Sequence, residues 1–82
     1  MFYYTYIIIS KKTGNLYIGS SGDLIIRIKD HNRGKTKSTK FGIPWKLLYY
    51  EAHRSKGLAI RAEMHYKTGQ GRRQIKKKLG LK

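Results

Sequence analysis

The sequence predicts an α+β fold, a three-stranded antiparallel sheet flanked by helices in the order β-β-α-β-α-α. Three observations carry that prediction. An aromatic and β-branched run, Phe2 to Ile9, is joined by a short polar segment to a second apolar run at Leu16-Tyr17-Ile18. A third such run, Trp45 to Glu51, stands alone further on. The stretches on either side of it carry their apolar residues three and four apart, which is helical spacing.

Phe2-Tyr3-Tyr4-Thr5-Tyr6-Ile7-Ile8-Ile9 is made of residue types that fit a pleated, half-buried surface, so it reads as the first strand. Ser10-Lys11-Lys12-Thr13-Gly14-Asn15 is polar and contains a Gly-Asn pair, the chemistry of a turn between strands. The resulting hairpin folds Tyr6 and Tyr17 back towards one another. Asp23 is an N-cap for the next helix, its carboxylate accepting from first-turn amides. On that helix Arg27 and His31, four apart, share a face bordering an apolar stripe of Leu24, Ile25 and Ile28.

The segment from Arg33 to Ile43 reads as a flexible loop carrying Arg33, Lys35, Lys37 and Lys40. Pro44 to Glu51 supplies the third strand. Leu58, Ala59 and Ala62 form a second helical stripe with Glu63 at its edge, Gly69 and Gly71 break the chain, and a short helix follows from about Arg72. Alternate strand positions and inner helix stripes give a core of Tyr4, Ile7, Ile9, Ile18, Leu24, Ile28, Trp45, Leu47, Leu58, Ala62 and Leu79. A single domain of 82 residues buries only about 60% of the surface its unfolded chain exposes, so this core must be economical.

Nineteen Lys and Arg against four Asp and Glu give a formal charge of +15. A field of that size attracts polyanions and speeds their association, which points to nucleic acid. The basic loop, with Phe41 and its hydroxyls, reads as a phosphate clamp, and Arg72, Arg73, Lys76, Lys77, Lys78 and Lys82 form a second cluster that tracks a backbone rather than reading bases. Cysteine is absent, which excludes a disulfide framework and a cysteine zinc site. His31, His53 and His65 are too scattered for a zinc cluster. No apolar run is long enough to span a bilayer and no signal-peptide layout opens the chain, so a cytoplasmic protein is expected. A basic peripheral membrane protein would need a long helix with cationic and aromatic-leucine faces, and none is present.

Few carboxylates are available to hold a cation. Asp23 caps a helix, Asp30 is expected to point away from the Arg27/His31 face, and Glu51 ends the third strand. Glu63 remains, and by its position alone it is as much an ordinary surface glutamate as a ligand.

Taken singly, each of these residues has a plainer role: a strand tyrosine is usually core, and an Arg/His pair at helical spacing is usually a solvated flank. Together Thr5-Tyr6-Ile7, Leu16-Tyr17-Ile18-Gly19, the Arg27/His31 helix, the third strand and Ala59-Ile60-Arg61-Ala62-Glu63 resemble the GIY-YIG nuclease family over nearly the whole chain. Lys67 to Arg73 resembles the tail of its small stand-alone members. Two departures stand out. The first motif reads Thr5-Tyr6-Ile7, keeping the tyrosine, and Ser20-Ser21 occupies the stretch where some members place a lysine, a role that would pass to Lys35, Lys37 or Lys40.

The resemblance implies one GIY-YIG-like catalytic domain over residues 1–82 and a metal-dependent endonuclease acting on nucleic acid. The expected substrate is DNA chosen by its structure, in repair or recombination. It implies catalytic Tyr6, Tyr17, Arg27 and His31, with Glu63 as ligand to Mg²⁺ or Mn²⁺ and Lys35, Lys37, Lys40, Arg72 and Arg73 on nucleic acid. Either tyrosine could deprotonate the attacking water, and because a free phenol titrates near 10 it needs nearby cations to do so at neutral pH. Arg27 would bind phosphate oxygens in bidentate fashion. His31 would relay a proton or hydrogen-bond a tyrosine. One carboxylate suffices for Mg²⁺, which keeps several waters and takes substrate phosphate oxygens. The competing expectation is a non-catalytic basic module that binds nucleic acid on the same fold. Against it, all five site residues are present together. A protein partner is possible but nothing in the sequence indicates one.

Overall fold

The structure is a computed structural model describing residues 1–81, so Lys82 of the C-terminal basic cluster lies outside the described residues. Strand β1 (Tyr3–Ser10) is central in a three-stranded sheet of order β2-β1-β3, with β2 (Leu16–Ser21) and β3 (Trp45–His53) antiparallel on either side. Helix α1 (Leu24–Asn32) follows the hairpin, a 3₁₀ turn (Lys37–Gly42) leads into β3, and α2 (Lys56–Lys67) and α3 (Gly69–Lys78) close the chain. The expected α+β order is the observed one. Among the described residues no helix is long and apolar enough to cross a membrane.

The hairpin turn closes through Ser10 N–H to the Asn15 carbonyl at 2.9 Å, with Gly14 at φ +79°, a backbone region that favours glycine. Asp23 caps α1 by accepting from the Ile26 amide at 3.0 Å, and Ser55 and Thr68 cap α2 and α3 in the same manner. Across β1 and β3 the register shifts between Ile7 and Ile8, which face Tyr49 and Leu47, so Leu48 forms a bulge.

Both faces of the sheet are covered, and this reorganises the expected core. On one face Tyr6, Ile8 and Trp45 are buried with Leu24, Ile28 and Leu47 against them. On the other, Ile7, Ile18 and Ile75 are buried beneath Tyr66 and Leu79. Three consecutive β1 residues, Tyr6, Ile7 and Ile8, are therefore all inside, because a central strand between two layers has no wet face. Ile9 and Tyr4 are only partly buried. Leu58, expected inside, is exposed, and Ala59 takes its place at 1% exposure because α2 lies close enough for the Thr5 hydroxyl to donate to the Ala59 carbonyl at 2.7 Å. Ile25 is likewise turned outward at 69% exposure.

Gly69 and Gly71 do not break the chain; they lie in the first turn of α3. A Cβ at Gly71 would run into the His65 carbonyl, so glycine there lets α3 cross directly over the end of α2. Between these helices and β3 the Glu51 carboxylate accepts from Tyr66, from Tyr49 at 2.8 Å and from His53 at 3.0 Å. Burial pushes that carboxyl up, but the three donors outweigh burial and hold it below its ordinary value. Both oxygens of Glu51 are thus engaged in tying β3 to α2.

Candidate active site

The residues singled out in the sequence meet at the β2 edge of the sheet. Antiparallel pairing places Tyr6 opposite Gly19 and Tyr17 opposite Ile8, so both tyrosines rise from the α1 face of the sheet. A Cβ on Gly19 would lie 2.6 Å from Tyr6 Oη and 3.2 Å from Tyr17 Cε2. Only a bare backbone lets the two rings converge there.

Helix α1 brings His31 beneath both rings, edge-on to Tyr6 at 5.7 Å and to Tyr17 at 5.1 Å between centroids. The expected position of His31 at an accessible border is corrected: it is 0% exposed. Its Nε2 lies 2.7 Å from Tyr6 Oη and its Nδ1 2.8 Å from Thr39 Oγ1. Thr39 Oγ1 spends its own proton on the Thr36 carbonyl at 3.3 Å, which assigns the tautomer. Nδ1–H donates to Thr39, and Nε2 accepts from the Tyr6 phenol. Burial, reinforced by the positive charge of Arg27, pulls the imidazole down from 6.5 to about 4, so it is neutral at pH 7. Burial also pushes the Tyr6 phenol up to about 12, with Arg27 opposing and the charges of Tyr17 and Glu63 adding to the rise.

Arg27, one turn before His31, is half-buried and has no carboxylate partner among the described residues. Asp30 pairs with Lys35 at 3.8 Å instead. A guanidinium beside the Tyr6 phenol with no carboxylate partner is free to take an anion. Glu63 approaches from the opposite face of the sheet, on α2. Its Oε1 accepts from Ser20 Oγ at 2.7 Å and its Oε2 from Lys67 Nζ at 2.6 Å. The serine that departs from the family pattern thus anchors the carboxylate. Glu63 and Ser20 offer only hard oxygen donors, a set that fits Mg²⁺ retaining most of its waters. An ammonium already rests on the carboxylate, which shows that the position accepts positive charge. Among the described residues there is no cluster of three His, Cys, Asp or Glu that could hold a metal unaided.

The expected flexible loop is corrected. Residues 37–42 form an ordered 3₁₀ turn pinned by Trp45 Nε1–H to the Thr39 carbonyl at 2.8 Å and by Ser10 Oγ–H to the Gly42 carbonyl at 2.6 Å. Its role at the site is internal, delivering Thr39 to His31. Lys35, Lys37 and Lys40 are exposed around it, as is Arg73 on α3, and none of these four lines the cleft beside Tyr17. Arg72 does line it. Sequence reasoning missed Thr39, for which no local signal exists, and Lys67, whose spacing of four from Glu63 was the available clue.

A model of the GIY-YIG catalytic domain matches residues 2–78, and the chain belongs to this nuclease-type family. Within it the chain is similar to proteins of the group named UPF0213. UPF0213 protein SAG0778 of Streptococcus agalactiae serotype V is 47% identical over 55 residues, covering 66% of this chain and 62% of that one. UPF0213 protein SpyM50708 of Streptococcus pyogenes serotype M5 is 43% identical over 60 residues, covering 72% and 65%. The chain thus spans less than two thirds of the length of these relatives. The solution NMR structure of the UPF0213 protein BH0048 from Bacillus halodurans matches 92% of this chain and 82% of its own, at 35% identity and a TM-score of 0.56.

Proposed function

We propose that the chain is a divalent-metal-dependent endonuclease hydrolysing phosphodiester bonds, with DNA selected by its structure as the substrate. Cytoplasmic work in repair or recombination goes with that reading. The observation that carries it is the convergence of Tyr6 and Tyr17 on the bare position Gly19, with Arg27 and Glu63 both close enough to act on the Tyr6 phenol.

A phosphate entering from the β2 edge meets Arg27, whose fork can bind two of its oxygens and favours the charge that builds on them as water attacks. The attacking water has two tyrosines to choose between, and their surroundings support different tasks. Burial raises the Tyr6 phenol and lowers the His31 imidazole, so handing the Tyr6 proton to His31 is strongly unfavourable. Tyr6 therefore keeps its proton, points it at His31, and offers its oxygen lone pairs to position the water. The Tyr17 phenol makes no hydrogen bond to a side chain of the described residues and its ring lines an open cleft, so it has the access to water that a base needs. The water oxygen bonds to phosphorus as its proton passes to Tyr17 in its phenolate form, and the bond to the sugar oxygen breaks, the leaving alkoxide taking a proton from solvent. Glu63, with Ser20 fixing one of its oxygens, would hold Mg²⁺ or Mn²⁺, and a bound divalent ion supplies positive charge for the developing negative charge.

The test is cleavage of a labelled panel of duplex, single-stranded, flapped and branched DNA, and RNA, with Mg²⁺, with Mn²⁺ and with a chelator. Cutting that needs the metal and disappears in Glu63→Ala, with binding kept, supports the proposal. Salt-sensitive binding without cutting of any substrate overturns it and leaves a binding module.

A further inference from the structure

We infer that the cleft beside Tyr17 is a subsite for one unpaired nucleotide adjoining the scissile phosphate, an inference that rests on the nuclease reading and names its substrate class. The cleft has a volume of about 560 Å³, within the range that encloses a small molecule, and is too small for a duplex. It runs between the hairpin, the 3₁₀ turn and α3. Tyr17 is the candidate catalytic residue in its wall, so whatever fills it lies against that ring.

Two features of its lining select a nucleotide. Phe41 is 58% exposed although its neighbour Gly42 is buried beneath Trp45 and bonded to Ser10. The ring is thus held out on a fixed backbone, where it contributes little to the core and presents a face on which a base can stack. Arg72 and Lys76 also line it, four residues apart on α3, with no carboxylate partner among the described residues. Like charges at that spacing destabilise a helix, and a phosphate between them removes the repulsion. Leu16 completes an apolar wall for the base. An aromatic platform and a pair of cations in one cleft are the combination that holds single-stranded nucleic acid with little regard for sequence. The base of the flanking nucleotide stacks on Phe41 and its phosphates lie along Arg72 and Lys76, so flapped, branched or single-stranded substrates are preferred to intact duplex.

The experiment uses the full chain and oligonucleotides carrying 2-aminopurine at the junction of a single-stranded flap, with matched duplex as reference. Fluorescence titration under chelating conditions reads stacking and affinity without cutting. Phe41→Ala is expected to weaken flap binding by about 5- to 100-fold relative to duplex and to abolish the stacking signal. Arg72→Ala and Lys76→Ala are each expected to reduce the slope of log affinity against log salt by about 0.7. Equal loss on flap and duplex in Phe41→Ala, or no loss on either, overturns the subsite. If the wild type cuts and its flap preference ignores Phe41, the subsite falls and the nuclease stands. If Phe41-dependent binding is found but no substrate is cut, the nuclease reading falls and the subsite remains.

Discussion

Acidification from pH 7 to pH 5 should destabilise this protein through one residue, His31. Its imidazole is fully buried, neutral and bonded at both nitrogens, and it takes a proton in the folded state only near 4, against 6.5 when exposed. Between those values the unfolded chain binds a proton that the folded chain does not, so stability falls as pH falls through 6.5 and stops falling below about 4. Linkage gives a loss of about 2 kcal/mol between pH 7 and pH 5, approaching about 3 kcal/mol at the acid limit. Glu51 adds its own loss further down: its folded carboxyl is held below 4.5, so its contribution is present above that value and disappears beneath it. Urea unfolding followed by circular dichroism at pH 7, 6 and 5 measures the change. His31→Gln should be less stable at pH 7 but lose the pH dependence in this window. A wild type of equal stability at pH 7 and pH 5, or a His31 ring resonance titrating near 6.5 by NMR, would refute the reasoning.

Other consequences are open to direct test. Gly19→Ala forces both tyrosine rings aside, at a cost of about 1–3 kcal/mol, and should abolish cutting while circular dichroism still reports the native fold. Thr39→Val removes the acceptor for His31 Nδ1–H and should cost about 1–3 kcal/mol for the buried unpaired donor, read as a lower urea midpoint. Lys67→Met frees one oxygen of Glu63 and should lower the Mg²⁺ concentration needed for half-maximal cutting; a raised requirement would show that the lysine helps rather than competes.

What the sequence made legible was whatever local chemistry determines. Asp23 caps α1 because its carboxylate reaches an amide three residues on, and the hairpin closes because Gly14 permits its turn. Tyr6, Tyr17, Arg27, His31 and Glu63 could be placed in their elements for the same reason. Contacts made across the fold were not legible. The 37–42 segment looked mobile because its anchors, Ser10 and Trp45, come from β1 and from the start of β3. Burial of Tyr6 and Ile8 alongside Ile7 depended on a second layer covering the sheet. The rotation of α2 that puts Ala59 inside and Leu58 outside depended on how closely Thr5 draws the helix in. Gly71 resembled a helix breaker, and its purpose became visible only with the His65 carbonyl beside it.

The most direct test of the proposed chemistry is the single-turnover rate on a flapped DNA, with Mg²⁺ saturating, for the wild type and Arg27→Ala. Arg27 is a cation beside Tyr6 with no carboxylate partner among the described residues, and removing it should slow cutting by about 10²- to 10³-fold while affinity changes by only a few-fold. Equal rates in the two proteins would contradict the assignment of this cluster as the site where phosphodiester bonds are broken.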